Sequence, residues 1–271
     1  MVLVDAHVHV HDCFDVARVF DAAASNFAAA ANVLASERID AVLCVVASRG
    51  ERFFDGVRTG PTGRVWRGAR GFWEVEHGCE PETLVVRCGS TRLNLIAGRQ
   101  LVTRERLEVL ALGTTAPLPN GEPIETTLAA VRDVGAAAVL PWAVGKWLGA
   151  RGAVIKRLLA DPKWQHVFLG DNGNRLELGP DPFAASRRAG RVVLPGSDPL
   201  PLRGEEARVG AYGFAVDVTL DLLRPAAALL ALLESGSAFT VFGRREPLAR
   251  FVGNQLALKL KSRLRSDGRW A

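Results

Sequence analysis

The chain has 271 residues, 48% of them hydrophobic and 23% charged. That is enough apolar material for one large core, and the charge content argues against disorder. Its net charge of +5 is carried mostly by Arg, because only five of the 34 basic residues are Lys (Lys146, Lys156, Lys163, Lys259, Lys261); with abundant Ala this reads as a composition bias and not as a nucleic-acid footprint, so the expected partner is a small anionic substrate. Cys13, Cys44, Cys79 and Cys88 form no CxxC pair, no apolar signal region opens the chain, and no apolar run approaches ~20 residues, which argues against a disulfide scaffold, a secreted precursor and a membrane span and leaves a reduced, cytoplasmic setting as the expectation.

In chain order, residues 2–10 read as a β-rich opening strand. Residues 15–37 read as a helix, with apolar side chains recurring at three and four (Val16, Val19, Phe20, Phe27, Val33, Leu34). The continuous apolar run 42–47 is that of a strand buried on both faces of a parallel sheet. The stretch 49–103 breaks the rhythm with Gly and Pro and with short β runs at 65–66, 72–75, 84–87 and 93–96, and is read as an insertion of strands and loops after the second strand, poor in core residues. Further strands are expected at 107–112, 137–140, 167–170, 191–195 and 239–242, and helices at 124–134, 153–160, 205–217, 225–234 and 247–264. Repeated β-then-α order predicts an α/β fold, a distorted TIM-like (β/α)7–8 barrel forming one domain over residues 1–271.

Four places carry candidate chemistry. In Asp5-Ala6-His7-Val8-His9-Val10-His11 the strand alternation puts the three imidazoles on one face, with Val4, Val8 and Val10 on the other. Because i and i+4 lie ~13 Å apart along a strand, His7 and His9 are the expected metal ligands and His11 is expected to face substrate. The run Val193-Leu194-Pro195-Gly196-Ser197-Asp198 ends an apolar strand on a carboxylate, where Asp198 can ligate a metal or act as general base, or else cap a helix. A third strand ends at Asp171-Asn172-Gly173-Asn174-Arg175. There Asp171 is a candidate catalytic carboxylate, Asn172 a hydrogen-bonding group and Arg175 an anion clamp, the alternative being a polar Asx turn. The fourth is the loop 140–152, in which Lys146 stands between Trp142 and Trp147 and Arg151 opens a helix; Lys146 and Arg151 could bind an anion, or Lys146 could lie along the tryptophans with its ammonium in water. Near the C-terminus, Lys259, Lys261, Arg263 and Arg265 alternate with leucines and read as the solvated face of a closing helix.

With those motifs in place the chain resembles the PHP family, the polymerase-and-histidinol-phosphatase hydrolases. Residues 5–9 look like its first motif, 95–100 followed by 107–112 like its third, and Leu194-Pro195-Gly196-Ser197-Asp198 like its last. The resemblance implies a metal-dependent hydrolase, most simply a phosphoesterase. Gln100 stands where the family has a Glu ligand, Glu108 near an expected His, Trp142 where the family has Ala-His-Pro, and Leu200 in place of the final His. It therefore implies one divalent ion (Zn, Mn or Fe) on His7, His9 and Asp198, with Glu108 a possible fourth ligand and Gln100 left for substrate. Amidohydrolase barrels, which cleave C–N bonds, share the His-x-His strand and the late Asp. The replaced ligands also leave open a metal-free barrel that binds a ligand or partner, with Trp66, Phe72 and Trp73 as its contact surface.

Overall fold

The computed structural model describes residues 1–61, 63–143, 145–177 and 180–266, with the backbone alone described from 260 onward. Each strand-like apolar run before residue 200 forms a strand of one mixed sheet. β1 (Val2–Val8) is followed by α1 (Val16–Val33), β2 (Asp40–Ala47) and a short α2 (Phe53–Arg58). An antiparallel meander of β3 (Val65–Gly68), β4 (Gly71–His77) and β5 (Thr83–Cys88) leads into the long β6 (Thr91–Val102). Then come β7 (Glu108–Leu112), α3 (Ile124–Asp133), β8 (Ala137–Pro141), α4 (Gly149–Ala160), β9 (Phe168–Asn172), α5 (Ala184–Arg188) and β10 (Val193–Gly196). β11 (Tyr212–Val216), α6 (Pro225–Glu234), β12 (Thr240–Gly243) and α7 (Leu248–Ser266) complete the order. No helix among the described residues is long and apolar enough to cross a membrane.

Nine strands follow one path, β10-β9-β8-β7-β6-β2-β1-β11-β12, and the sheet curls into a nearly closed barrel. Closure is made by backbone: the Asp198 N–H donates to the His7 carbonyl at 2.7 Å, so the end of β10 meets the end of β1. Gly196 permits it, since a Cβ there would lie 2.5 Å from the His7 nitrogen. A regular (β/α) repeat is not what forms. β7 is antiparallel to both neighbours, joined to β6 by a tight turn with no helix between.

Three apolar layers account for the architecture. Val2, Val4 and Ala6 meet Val42, Cys44, Leu110, Val139 and Leu194 inside the barrel, and Leu229 and Leu233 of α6 join them. Leu3, Leu43, Leu93 and Leu95 pack outward on α1. Val109, Leu140, Leu169 and Val193 pack outward under α3 and α4.

Two expectations are corrected. Residues 205–217 are not a helix: a 3-10 turn at Glu205–Arg208 gives way to β11, paired antiparallel with β1 through Val2, Val4 and Leu3. Every residue of β11 is buried, so the run shows neither a helical stripe nor an alternation, and Gly213 is the readable sign, because a Cβ there would lie 2.1 Å from the Val4 carbonyl oxygen. The segment 49–103 is also not poor in core. Residues 93–96 lie within barrel strand β6, and Trp73, Val75, Leu84 and Val86 belong to the layer under α1. Trp73 is fully buried, with its indole N–H on Asp21 Oδ1 at 2.9 Å, and Trp66 packs on Phe20, so of the three proposed contact aromatics only Phe72 is exposed. Of the C-terminal basic residues, the side chains of Lys261, Arg263 and Arg265 lie outside the described residues.

Candidate functional site

The histidines enter the barrel because β1 slips. Asp5 pairs with Leu43 but Val8 with Val45, so β1 carries one residue more than β2 across that interval. Such a bulge reverses which face the next side chains take. Before it Val2 and Val4 face inward; after it Val8 and Val10 pack outward, leaving His7 and His9 inside. Simple alternation put Val4 with Val8 and Val10, and the bulge separates them.

Asp5 lies immediately before this bulge and is fully buried. It accepts from the N–H groups of Ser197 (2.8 Å), Gly210 (2.9 Å) and His7 (3.3 Å), tying β1 to the loop that carries Asp198. Burial pushes its carboxyl up to about 6 against the pull of those donors. Asp5→Ala is expected to cost at least about 3 kcal/mol, because each stranded buried donor costs roughly 1–3 kcal/mol. The check is the urea midpoint, and an unchanged midpoint would show that the carboxylate holds nothing together.

His7 and His9 meet at the strand ends with their Nε2 atoms 3.1 Å apart. Asp198 Oδ1 lies 3.5 Å from the first and 3.8 Å from the second. Asp198 is held in the left-handed region at φ 44°, a conformation that Asp tolerates better than most residues. Its backbone carbonyl accepts from Asn174 Nδ2, and its Oδ2 accepts from Asn172 Nδ2 at 3.0 Å, which turns Oδ1 toward the histidines. Gln100 Oε1 stands 3.1 Å from His9 Nε2. Burial lowers the pKa of His7, helped by neighbouring His9 and opposed by Asp198. For His9 burial also works against charge, but the hydrogen bond and charge of Glu51 outweigh it and the pKa rises. Burial would raise Asp198, yet the two histidines hold its carboxyl low.

The donor set suits a divalent cation. Two imidazole nitrogens and a carboxylate oxygen form a triangle whose equidistant point lies about 2.0 Å from each corner, the length of a Zn–N or Zn–O bond. The three are also one of two clusters of His and carboxylate ligands found among the described residues.

A cavity of about 320 Å³ opens over this triangle. His11, Gln100, Glu108, Lys146 and Asn172, all candidates from the sequence, line it. Glu108 turns its carboxylate to the Lys146 ammonium and does not join the triangle. Three candidates fall elsewhere. Asp171 follows the parity of outward-facing Leu169, and its carboxylate is engaged by Arg175 (2.9 and 2.8 Å) and by the Tyr212 hydroxyl (3.0 Å). Arg175 is therefore a partner of Asp171 and no anion clamp, and neither lines the cavity. Arg151 donates to the Gly145 carbonyl at 3.1 Å, also outside it. The residues on the inward parity, Asn172, Gln100 and Glu108, are the ones that reach the site.

Glu51, from the loop after β2, contacts both His9 and His11, and nothing in its local sequence marks it out. Gln255 and Leu258 of α7 stand at the cavity wall, equally unmarked in the sequence.

No family profile matches this chain, and no curated protein does. Among solved structures it is similar to PsfC from Pseudomonas syringae PB-5123, at a TM-score of 0.50 and 14% identity over 96% of this chain and 98% of that one. It is also similar to endonuclease Q in complex with a 27-mer duplex substrate carrying an abasic lesion at the active site, at a TM-score of 0.43 and 11% identity over 88% of this chain and 58% of that one. The first likeness is one of fold over nearly the whole of both chains.

Proposed function

We propose that the protein is a hydrolase of PHP type that works with one divalent ion on a small anionic phosphoester. The observation that carries this is the convergence of His7 Nε2, His9 Nε2 and Asp198 Oδ1 at the barrel's strand ends, under a cavity of small-molecule size. His7, His9 and Asp198 would hold the ion, with Gln100 Oε1 beside them. When bound, it supplies Lewis acidity to a phosphoryl oxygen and makes a water acidic near neutral pH.

The chain's own groups do the rest. Asp198 Oδ1 faces the site while Asn172 fixes Oδ2, so the carboxylate can ligate or take a proton without turning. Lys146, half-buried at the wall and paired with Glu108, supplies the charge that holds the substrate's anion. The test is turnover of phosphomonoesters, phosphodiesters and amides by protein stripped with chelator and reloaded with Zn, Mn or Fe. Metal-restored phosphoester cleavage is expected, whereas metal-restored amide cleavage alone would reassign the site to C–N hydrolysis. Lys146→Met is expected to raise KM roughly tenfold at near-constant kcat, the value of one charge-assisted hydrogen bond of about 1.5 kcal/mol. An unchanged KM would remove Lys146 from the anion site.

A further inference from the structure

Glu51 stands behind the donor triangle and contributes no atom to it. It follows β2 by a turn in which its N–H donates to the Ser48 carbonyl (3.0 Å) and Gly50 takes φ 95°. Its carboxylate is divided between partners. Oε2 accepts from the Ser48 N–H at 2.8 Å and lies 2.9 Å from His9 Nδ1, while Oε1 faces His11 Nδ1. The side chain is only 12% exposed. His11 is held from its other end too, where Nε2 donates to the Pro199 carbonyl at 3.0 Å.

An ionised carboxylate can only accept. The proton between Glu51 and His9 must therefore sit on His9 Nδ1. In the neutral ring that leaves Nε2 without a proton and free to ligate a cation, on the side where His7 Nε2, Gln100 Oε1 and Asp198 Oδ1 converge. Ring orientation is fixed by the same contact, since Ser48 N–H and His11 hold the carboxylate in place.

We infer that Glu51 is a positioning residue: it sets the tautomer and ring angle of His9 that present Nε2 to a metal ion, and through its second oxygen it locks His11 into the cavity wall. This rests on the proposed metal site. Carboxylates behind ligating histidines typically contribute about 10–100-fold to metal affinity.

The experiment is Zn²⁺ affinity by competition with a chromophoric chelator for the full chain and for Glu51→Ala and Glu51→Gln, with histidine ¹⁵N NMR of the metal-free proteins. The expected result is an affinity about 10–100-fold weaker in Glu51→Ala, with one ion still bound at saturation, and a smaller loss in Glu51→Gln, whose amide oxygen can still accept from His9. Recorded at a pH high enough to leave the ring neutral, the His9 signals should report the Nδ1–H tautomer in the wild type and a shift toward Nε2–H in Glu51→Ala. Wild-type affinity with an unchanged tautomer in both variants would overturn the inference. So would a fall from two ions per chain to one, which would make Glu51 a ligand of a second ion. If the wild type binds no Zn²⁺, Mn²⁺ or Fe²⁺, the proposed function fails, and the NMR comparison still decides what Glu51 does to His9. Glu51→Gln keeps nearly the same volume and answers the question should Glu51→Ala not fold.

Discussion

The double variant His7→Ala/His9→Ala is expected to lose its metal altogether, from about one ion per chain to none, with phosphoester turnover at background. Two of the three converging donor atoms belong to these rings, and Asp198 alone cannot hold a transition ion against water. A metal that polarises a phosphoryl oxygen contributes several kcal/mol to transition-state stabilisation, so a loss of at least roughly 10³-fold is expected. The fold should survive. Both side chains face the cavity, where water can replace them, and the closing contact between β10 and β1 uses the His7 backbone and not its ring. Elemental analysis of protein purified without chelator or nickel resin, beside a far-UV spectrum, reads both arms. Full metal content in the double variant would sink the proposed site. No metal in the wild type under Zn, Mn or Fe loading would show that His7, His9 and Asp198 do not suffice to hold an ion.

The triplet of histidines and the Asp198 strand end were legible because both obey local rules. A strand spaces alternate side chains on one face, and a buried parallel strand that ends in Asp puts a carboxylate at the barrel mouth. Inward parity would also have separated Asn172 from Asp171, since Leu169 and Asp171 lie on one face of β9 and Asn172 on the other. What could not be read was set by tertiary contacts. The bulge after Asp5 exists in the pairing of two strands and leaves no mark in either. Glu51 is an unremarkable acid in a Ser-Arg-Gly-Glu turn until β2 brings it under His9. β11 was not legible as a strand because a strand buried on both faces shows no period of two. The general α/β character came from alternation of apolar runs, but the reversal of β7 depends on the short β6–β7 turn, which loop length alone would have suggested.

Arg208→Met is expected to cost about 3–5 kcal/mol, the penalty for removing one partner from a buried ion pair. Arg208 ends the 3-10 turn before β11 and is 8% exposed. Its guanidinium pairs with Glu246, which is 2% exposed, and donates to the Gly173 carbonyl (2.8 Å) and to Asn174 Oδ1 (3.0 Å). Asn174 in turn holds the backbone carbonyl of Asp198, so one buried cation fixes the loop of the candidate site. From the other side Arg250 of α7 reaches Glu205 Oε1 (2.7 Å) and Glu246 Oε1 (3.1 Å), and α7 carries Gln255 and Leu258 to the cavity wall. Removing Arg208 leaves two buried carboxylates sharing Arg250, which is itself 45% exposed. Adding Glu246→Gln should therefore restore part of the lost stability, because it removes a stranded charge, and the non-additivity of the pair measures the coupling. Hydrogen exchange should rise in α7 and around residues 172–174 before it rises in β1 or β2, whose ladders do not depend on Arg208. A loss under about 1 kcal/mol in Arg208→Met, the size of an exposed ion pair, would mean that water already reaches these charges and that α7 is held over the cavity by its apolar face alone.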